Sequence, residues 1–179
     1  MGQYYYPILL DKDGKIMAWM FAHEYNNGLK LTEHSYMDNN FVQMFESLLA
    51  SGEHYYKARV VWAGDYADNE PESENNLYRM CTDDLKIHPE YSYSTAQYPY
   101  IVNHTKKQFV DKRMNVDTRE GAFGLHPLPL LTCEGNGRGG GDYHGESPLI
   151  GLWARDVISI EKTKPTDCVE IVFNLKEQL

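Results

Sequence analysis

The sequence has little of what marks a secreted or membrane protein. Its three cysteines, Cys81, Cys133 and Cys168, are an odd number without a C-x-x-C pair. That spacing argues against a disulfide framework or a zinc site and predicts buried thiols in an intracellular protein. No basic segment followed by an apolar one begins the chain, and no uncharged apolar run approaches the roughly 18 residues of a membrane span. We therefore expect a cytoplasmic protein without a membrane partner.

Signatures of catalysis and of metal binding are also missing. The seven histidines show no H-x-H or H-E-x-x-H spacing, and there is no G-x-S-x-G motif. This argues against the common zinc hydrolases and serine hydrolases. His104 and His144 fall in predicted loops where a general base can act, but no nucleophile is signalled beside them. The sequence predicts no catalytic residue, metal ligand or cofactor, and it favours a binding protein over an enzyme.

Positive charge is scarce, because 17 Lys and Arg stand against 26 Asp and Glu, for a net charge of −9. This balance disfavours direct binding to nucleic acid, and it favours either solubility or attraction to a basic partner. Part of the excess lies in one stretch without Lys or Arg, at Asp65, Asp68, Glu70, Glu72 and Glu74. Charge runs of this kind are usually solvated loops. The alternative is a docking surface for a protein with a basic groove.

The order of turn and apolar signals predicts a single α+β domain over residues 1–179. Asp13-Gly14 predicts the turn of an initial β-hairpin between residues 3–10 and 15–23. One main helix is expected over about 40–51, with Asn40 as N-cap. The other expected strands are joined by short turns, which favours a mostly antiparallel sheet covered by that helix. They cover residues 57–67, 100–103, 108–111, 128–133, 151–161 and 168–175.

A Trp-Ala-x-Asp motif occurs twice, at Trp62–Asp65 and at Trp153–Asp156, each time after an aliphatic run. The repeat predicts two strands of one sheet, each with an inward Trp and a terminal Asp. The uncharged run 60–64 predicts burial on both faces of its strand. If the two strands are neighbours, their aspartates and Asp142 form a carboxylate cluster suited to a divalent cation or an acid–base pair. Alternatively, each Asp accepts backbone N–H groups at a turn.

A glycine-rich stretch after Glu134 is the second candidate site. Its G-x-G-x-x-G spacing matches the dinucleotide fingerprint, but no amphipathic helix follows to offer its N-terminus to a pyrophosphate. Glycine still lets backbone N–H groups approach an anion closely. The stretch is therefore either a conformational loop or a ligand loop. The candidate ligand-binding residues are Gly137, Arg138, Gly139, Gly140, Asp142, His144 and Asp156.

Tyrosine is used 14 times, with Tyr91 and Tyr93 in an expected aromatic loop. Such side chains are common in ordinary sheets, but they also favour interfaces, since they bury a large area and keep a polar tip. Tyr91 and Tyr93 are therefore added to the acidic residues as candidates for partner binding.

Taken together, these segments resemble a protein family without an assigned activity. Its members open with Met-Gly-Gln-Tyr and an aromatic residue, as in Met1–Tyr5, and continue with a Trp-Ala-Gly-Asp strand. Later segments of the family correspond here to Asn76–Tyr78, Asn103–Lys106 and Trp153–Asp156. Members occur in fungi and in gut Firmicutes and their phages. Where this chain has Arg155, the fungal members tend to have glycine.

The resemblance implies, by analogy, a phage or mobile-element anti-defence protein such as an anti-CRISPR inhibitor. We accordingly expect binding to a nucleic-acid-handling immune effector through the acidic and tyrosine-rich surfaces. The competing hypothesis is a nucleotide- or metal-binding sponge or hydrolase. It would use the glycine-rich residues 135–145 together with Asp65 and Asp156.

Overall fold

The structure, a computed structural model, describes residues 2–135, 143 and 145–177. It has the expected α+β class, with two four-stranded sheets and short helices. The strands are β1 Tyr5–Leu10, β2 Ile16–Trp19, β3 Arg59–Gly64, β4 Tyr100–Asn103, β5 Gln108–Asp111, β6 Cys133–Glu134, β7 Ile158–Glu161 and β8 Val169–Glu170. The α-helices are α1 Leu31–His34, α2 Asn40–Ser47, α3 Leu77–Met80 and α4 Pro127–Thr132, and 3-10 turns cover Ala22–Tyr25, Asp83–Leu85 and Lys112–Met114.

The strands form two sheets rather than one. The first has the order β2-β1-β3-β6 and the second β7-β4-β5-β8. In each described sheet the first three strands pair antiparallel. The fourth strand, β6 in the first sheet and β8 in the second, pairs parallel with its neighbour at the edge. The expectation of a mostly antiparallel arrangement is therefore confirmed, while its single sheet is replaced by two.

The predicted first hairpin is present between β1 and β2. Its turn is stabilised by Asp11, whose Oδ1 accepts hydrogen bonds from the backbone N–H groups of Asp13 (2.8 Å) and Lys15 (2.9 Å). Gly14 has φ +80°, a left-handed conformation that glycine adopts without steric penalty. Turn chemistry alone therefore located this element correctly.

The main helix α2 lies where periodicity predicts it and ends earlier, at Ser47. Its N-cap is Asn39, whose side chain accepts a hydrogen bond from the Val42 N–H at 3.1 Å, and not Asn40. The buried face carries Phe41 and Phe45, and Phe45 packs edge-on against Trp62 with ring centroids 5.0 Å apart. Burying each such aromatic side chain contributes about 2 to 3 kcal/mol, so this face fixes the helix against β3.

The main core joins α2 and the two sheets. From β3 it takes Val60 and Trp62, and from the second sheet it takes Ile101, Val110, Ile158 and Ile160. The opposite face of β3 is buried as well, since Val61 and Ala63 belong to a second cluster with Ile8, Leu10, Trp19 and Leu77. The prediction that β3 is covered on both faces is confirmed.

The second Trp-Ala-x-Asp motif is not a strand, which corrects the expected symmetry. Residues 148–155 form turns, and β7 begins only at Ile158. Trp153 is nonetheless fully buried, and its Nε1 donates to the side-chain oxygen of Gln108 at 2.9 Å. The Trp of this motif is therefore buried in both places, although the backbone is a strand in the first and a turn in the second.

Residues expected as a strand at 128–133 are instead helix α4. Pro127 occupies the first helical turn, and the Nδ1 of His126 accepts a hydrogen bond from the Leu128 N–H at 3.1 Å. Proline at this position loses no hydrogen bond, because the first N–H groups of a helix have no partner inside it. All six helix residues are buried, so they show no polar face by which a helix is recognised.

The helices and the three cysteines bear on the two remaining expectations, the absence of a membrane span and the burial of the thiols. No helix in the described part of the chain is long and apolar enough to cross a membrane. Cys133 is buried as expected, and its thiol lies 3.4 Å from the Leu130 carbonyl oxygen. Cys81 and Cys168 are free thiols that are only partly buried, which corrects their expected full burial.

Candidate functional site

The carboxylates of the acidic stretch lie on a well-anchored loop, residues 65–74, called here the acidic loop. It leaves the end of β3, where Asp65 exchanges two 2.9 Å hydrogen bonds with the backbone of Tyr4, one of them through its carboxylate. The buried Asn76 side chain donates to the carbonyl oxygens of Asp65 and Ala67, both at 3.0 Å. Further along, the Glu70 N–H donates to the Asn75 carbonyl at 2.9 Å. The loop is thus held by hydrogen bonds to Tyr4, Asn75 and Asn76.

Arg155 links the acidic loop to strand β6 by binding one carboxylate from each. Its guanidinium binds the Glu70 carboxylate at 2.6 and 2.9 Å and the Glu134 carboxylate at 2.5 and 2.8 Å. Such paired contacts are the strongest form of charge-assisted hydrogen bond, because the planar fork matches the two carboxylate oxygens. Glu134 and then Glu70 raise the pKa of Arg155 above its usual range, so the clamp stays cationic.

The backbone of Arg155 also has an unusual conformation. Its φ is +67°, in the left-handed region that favours glycine, and its N–H donates to the Val60 carbonyl at 2.7 Å. An L-residue is held there at an energetic cost. The structure therefore gives a physical reason why glycine suits this position, and it shows what arginine adds, namely the clamp.

Three carboxylates of the acidic loop remain exposed. Asp68, Glu72 and Glu74 form no ion pair with any residue that the structure describes, whereas Glu70 is bound to Arg155. Within the described part of the chain, the loop therefore presents three carboxylates without ion pairs on a backbone held by hydrogen bonds. Of the acidic candidates, these three are the ones available to a partner.

A cleft of about 570 Å³ adjoins the acidic loop. Its charged lining residues are Asp68, Glu70, Glu134 and Arg155, with Tyr143 and Gly135 among the others. No group of three or more His, Cys, Asp or Glu within the described ranges is arranged to hold a metal ion. Since Arg155 is already paired with Glu70 and Glu134, the described lining of the cleft is net negative and offers no free cation to bind an anion.

The tyrosine candidates lie on another surface. The hydroxyl groups of Tyr91 and Tyr93 donate to the two oxygens of Glu53 at 2.8 and 2.6 Å. Tyr93 and then Tyr91 lower the pKa of Glu53 below its usual value, and this pairing raises the pKa of Tyr93 to about 12. Glu53 belongs to the turn that leads into β3, whereas the acidic loop leaves its far end. The tyrosine candidates are thus bound to Glu53, and the acidic candidates lie on the loop that follows β3.

The structure also separates Asp65 from Asp156. Asp65 follows the last residue of β3, while the Asp156 carbonyl accepts from the Val60 N–H near its start, at 3.1 Å. Five residues of strand place the two backbones about 17 Å apart. The Asp156 carboxylate is buried and accepts hydrogen bonds from Asn103 (2.8 Å) and Lys106 (2.5 Å). The hypothetical cluster of these two carboxylates does not form.

The remaining ligand candidates of the glycine-rich stretch lie outside the described residues. They are Gly137, Arg138, Gly139, Gly140, Asp142 and His144. Two described residues of this stretch, Gly135 and Tyr143, line the cleft beside the acidic loop.

A serine beside His104 was not foreseen, because Ser159 is 55 residues away in sequence. Ser159 Oγ lies 2.7 Å from His104 Nε2 and 2.8 Å from a Glu161 oxygen that also accepts from the Tyr56 hydroxyl at 2.7 Å. The Ser159 hydroxyl donates its one proton to Glu161, so His104 Nε2 is the donor to Ser159 Oγ. Ser159 is fully buried. The chain of hydrogen bonds is therefore structural rather than nucleophilic.

The most buried charges were also missed. Lys112 Nζ lies 2.6 Å from Glu46 Oε1, and His126 Nε2 lies 3.0 Å from Glu46 Oε2, with all three side chains fully buried. His126 Nδ1 accepts from the Leu128 N–H, so Nε2 is the ring nitrogen on the Glu46 side, although its geometry to Glu46 Oε2 is not that of a hydrogen bond. Burial opposes ionisation of Glu46, but Lys112 and His126 outweigh it and lower its pKa to about 2. This group has no opening to substrate.

Comparison of the chain with family models, with curated proteins and with solved structures gives no match.

Proposed function

We propose that this protein is a binding inhibitor whose acidic loop occupies a basic nucleic-acid groove of an immune effector. The observation that supports this most directly is the exposure of Asp68, Glu72 and Glu74, without ion pairs to described residues, on a loop fixed by Arg155 and Asn76. An ordered loop loses little conformational entropy on binding. Its uncompensated charge attracts a basic surface over a distance and increases the association rate.

The acidic and tyrosine residues have different roles in this function. Asp68, Glu72 and Glu74 contact the effector, whereas Glu70 and Asp65 keep the loop in shape. Tyr91 and Tyr93 lie at the other end of β3 and are not part of the primary contact. The protein acts in the cytoplasm, where such effectors bind nucleic acid, and it needs neither cofactor nor direct nucleic-acid contact for this activity. Its phage or mobile-element origin is inferred from the resemblance alone.

The test uses a charge-reversal variant, Asp68→Lys/Glu72→Lys/Glu74→Lys, which spares the clamp. The matched control, Glu120→Lys/Glu146→Lys/Glu170→Lys, makes the same change in net charge at exposed carboxylates elsewhere. Both are compared with the wild-type protein for inhibition of DNA cleavage by purified CRISPR nucleases loaded with guide RNA, and for binding to those nucleases. Thermal unfolding first verifies that each variant is folded.

We expect the wild-type protein and the control to inhibit at least one nuclease and the loop variant to lose inhibition at physiological salt. Inhibition should also weaken as salt is raised, because the attraction between exposed charges is screened. The proposal is wrong if no nuclease in the panel is bound, or if the control loses as much inhibition as the loop variant.

A further inference from the structure

A second concave site lies at the start of β3, at the opposite end of the strand from the acidic loop. It is a cleft of about 290 Å³ lined by residues of the β1–β2 turn, of segment 54–59 and by Val157. We call it the cationic cleft, because Lys12, Lys57 and Arg59 line it together with the single carboxylate of Asp11. Three permanent cations around one carboxylate stand out in a chain with a net charge of −9.

The three cations of the cleft are not held in ion pairs by the described protein around them. Lys12, Lys57 and Arg59 make no ion pair with any residue in the described ranges. The one carboxylate, Asp11, already accepts from two backbone N–H groups of the hairpin turn. Its pKa is lowered, first by the Lys15 N–H, so it stays ionised and bound to the turn. Among the residues that line the cleft, one carboxylate therefore stands against three cations.

The backbone of the cleft is held in an unfavourable conformation. Lys57 has φ +61°, the left-handed region that residues with a Cβ seldom adopt. The turn is nevertheless fixed, since the Ala58 N–H donates to the Tyr55 carbonyl at 3.0 Å and the Tyr56 hydroxyl donates to Glu161 at 2.7 Å. Unfavourable backbone conformations that the surrounding structure maintains are common at ligand sites.

We propose that the cationic cleft binds a phosphate-bearing ligand with the chemistry of a nucleotide or of the 5′-phosphate end of a nucleic-acid strand. A phosphate carries up to two negative charges, and lysine and arginine are its usual partners. Tyr55 and Met17 give the cleft an apolar wall for a base or sugar. The volume lies near the lower end of small-molecule sites, which begin at about 300 Å³. This site does not depend on the acidic loop.

The experiment measures binding of four probes to the full-length protein by calorimetric titration. Inorganic pyrophosphate tests the anion alone, AMP adds a base and sugar, adenosine lacks the phosphate, and 5′-phosphorylated hexathymidylate represents a strand end. The variant is Lys12→Gln/Lys57→Gln, and the control is Lys162→Gln/Lys164→Gln, which removes the same charge from exposed lysines outside the cleft. Lys12→Glu alone, in the exposed turn, replaces the double variant if the latter does not fold.

We expect pyrophosphate and AMP to bind and adenosine not to bind. The cleft variant should weaken the phosphate probes by about tenfold or more, while the control changes them by less than about twofold. Tighter binding of the oligonucleotide than of AMP identifies a strand end as the ligand, and the reverse identifies a free nucleotide. The proposal is overturned if no phosphate probe binds at millimolar concentration, or if the control weakens binding as much as the cleft variant does.

Discussion

Replacing Arg155 separates the two roles that the structure gives this residue. Arg155→Ala removes the clamp between Glu70 and Glu134 but keeps a Cβ at φ +67°. Arg155→Gly removes the same clamp and also relieves the left-handed backbone. We therefore expect the glycine variant to be the more stable of the two, although alanine is ordinarily the more stabilising residue in a folded chain.

The size of both effects follows from the geometry. Four charge-assisted hydrogen bonds join Arg155 to two carboxylates, but its side chain is 35% exposed, so solvent screens them. Between the values for exposed and for buried ion pairs, we take a loss of about 2 kcal/mol for the clamp. An L-residue in the left-handed region costs about 1 kcal/mol. Arg155→Ala should therefore lose about 2 kcal/mol and Arg155→Gly about 1 kcal/mol.

Urea unfolding measured by circular dichroism gives both free energies, provided that the slope against urea is unchanged. Hydrogen exchange of the amides in residues 67–75 should become faster in both variants, because the acidic loop loses its link to Glu134. A glycine variant no more stable than the alanine variant would refute the argument from backbone conformation. Unchanged exchange in the loop would refute the clamp.

Two further predictions concern buried charges. Lys112→Met should lower the free energy of unfolding, measured in urea, by about 3 to 5 kcal/mol, because Glu46 is left buried without its cation. Adding Glu46→Gln should recover part of that loss. A single variant as stable as the wild-type protein would contradict the ion pair. His34 is buried and its pKa is lowered by that burial from 6.5 to about 4, so the unfolded chain binds more protons between these values. The free energy of unfolding of the wild-type protein should therefore fall by about 3 kcal/mol between pH 6.5 and pH 4, relative to that of His34→Gln. If the difference between the two proteins does not change with pH, the burial of a neutral His34 is contradicted.

Elements with a clear local signal were predictable from the sequence. Asp13-Gly14 located the first turn, and the spacing of Phe41, Phe45 and Leu48 located α2, because each pattern belongs to one backbone period. The end of α2 was placed too far along. After Ser47 the chain tightens into turns that still bury Leu49 and Ala50, so apolar side chains continue where the helix does not.

Two elements were misassigned because burial removes the pattern that distinguishes them. Residues of α4 are buried on every side, and a short run of this kind is compatible with either a strand or a helix. In the second Trp-Ala-x-Asp motif, Trp153 packs inward from a turn whose Arg155 is left-handed. A motif that forms a strand at one position in the chain does not determine the backbone φ angles at another. At Trp153–Asp156 these angles are set by tertiary contacts.

The candidate site was predictable in composition but not in arrangement. Charge counting identified the acidic loop, yet it did not show that Glu70 is paired, since Arg155 is 85 residues away in sequence. Lys112 follows a predicted strand and looks like a surface residue, although it is fully buried against Glu46. Long-range pairs of this kind leave no local period, which is why the sequence did not signal the clamp or the buried charges.

An acidic protein can hold an anion site if its two kinds of charge are kept apart. The cationic cleft includes Arg59 at the start of β3, and the acidic loop begins at Asp65 after its end. Six residues of strand separate them by roughly 20 Å, which is more than twice the Debye length of about 8 Å at physiological ionic strength. The loop therefore neither neutralises the cleft nor repels its ligand strongly. For this reason the net charge of −9 does not argue against phosphate binding at the cleft.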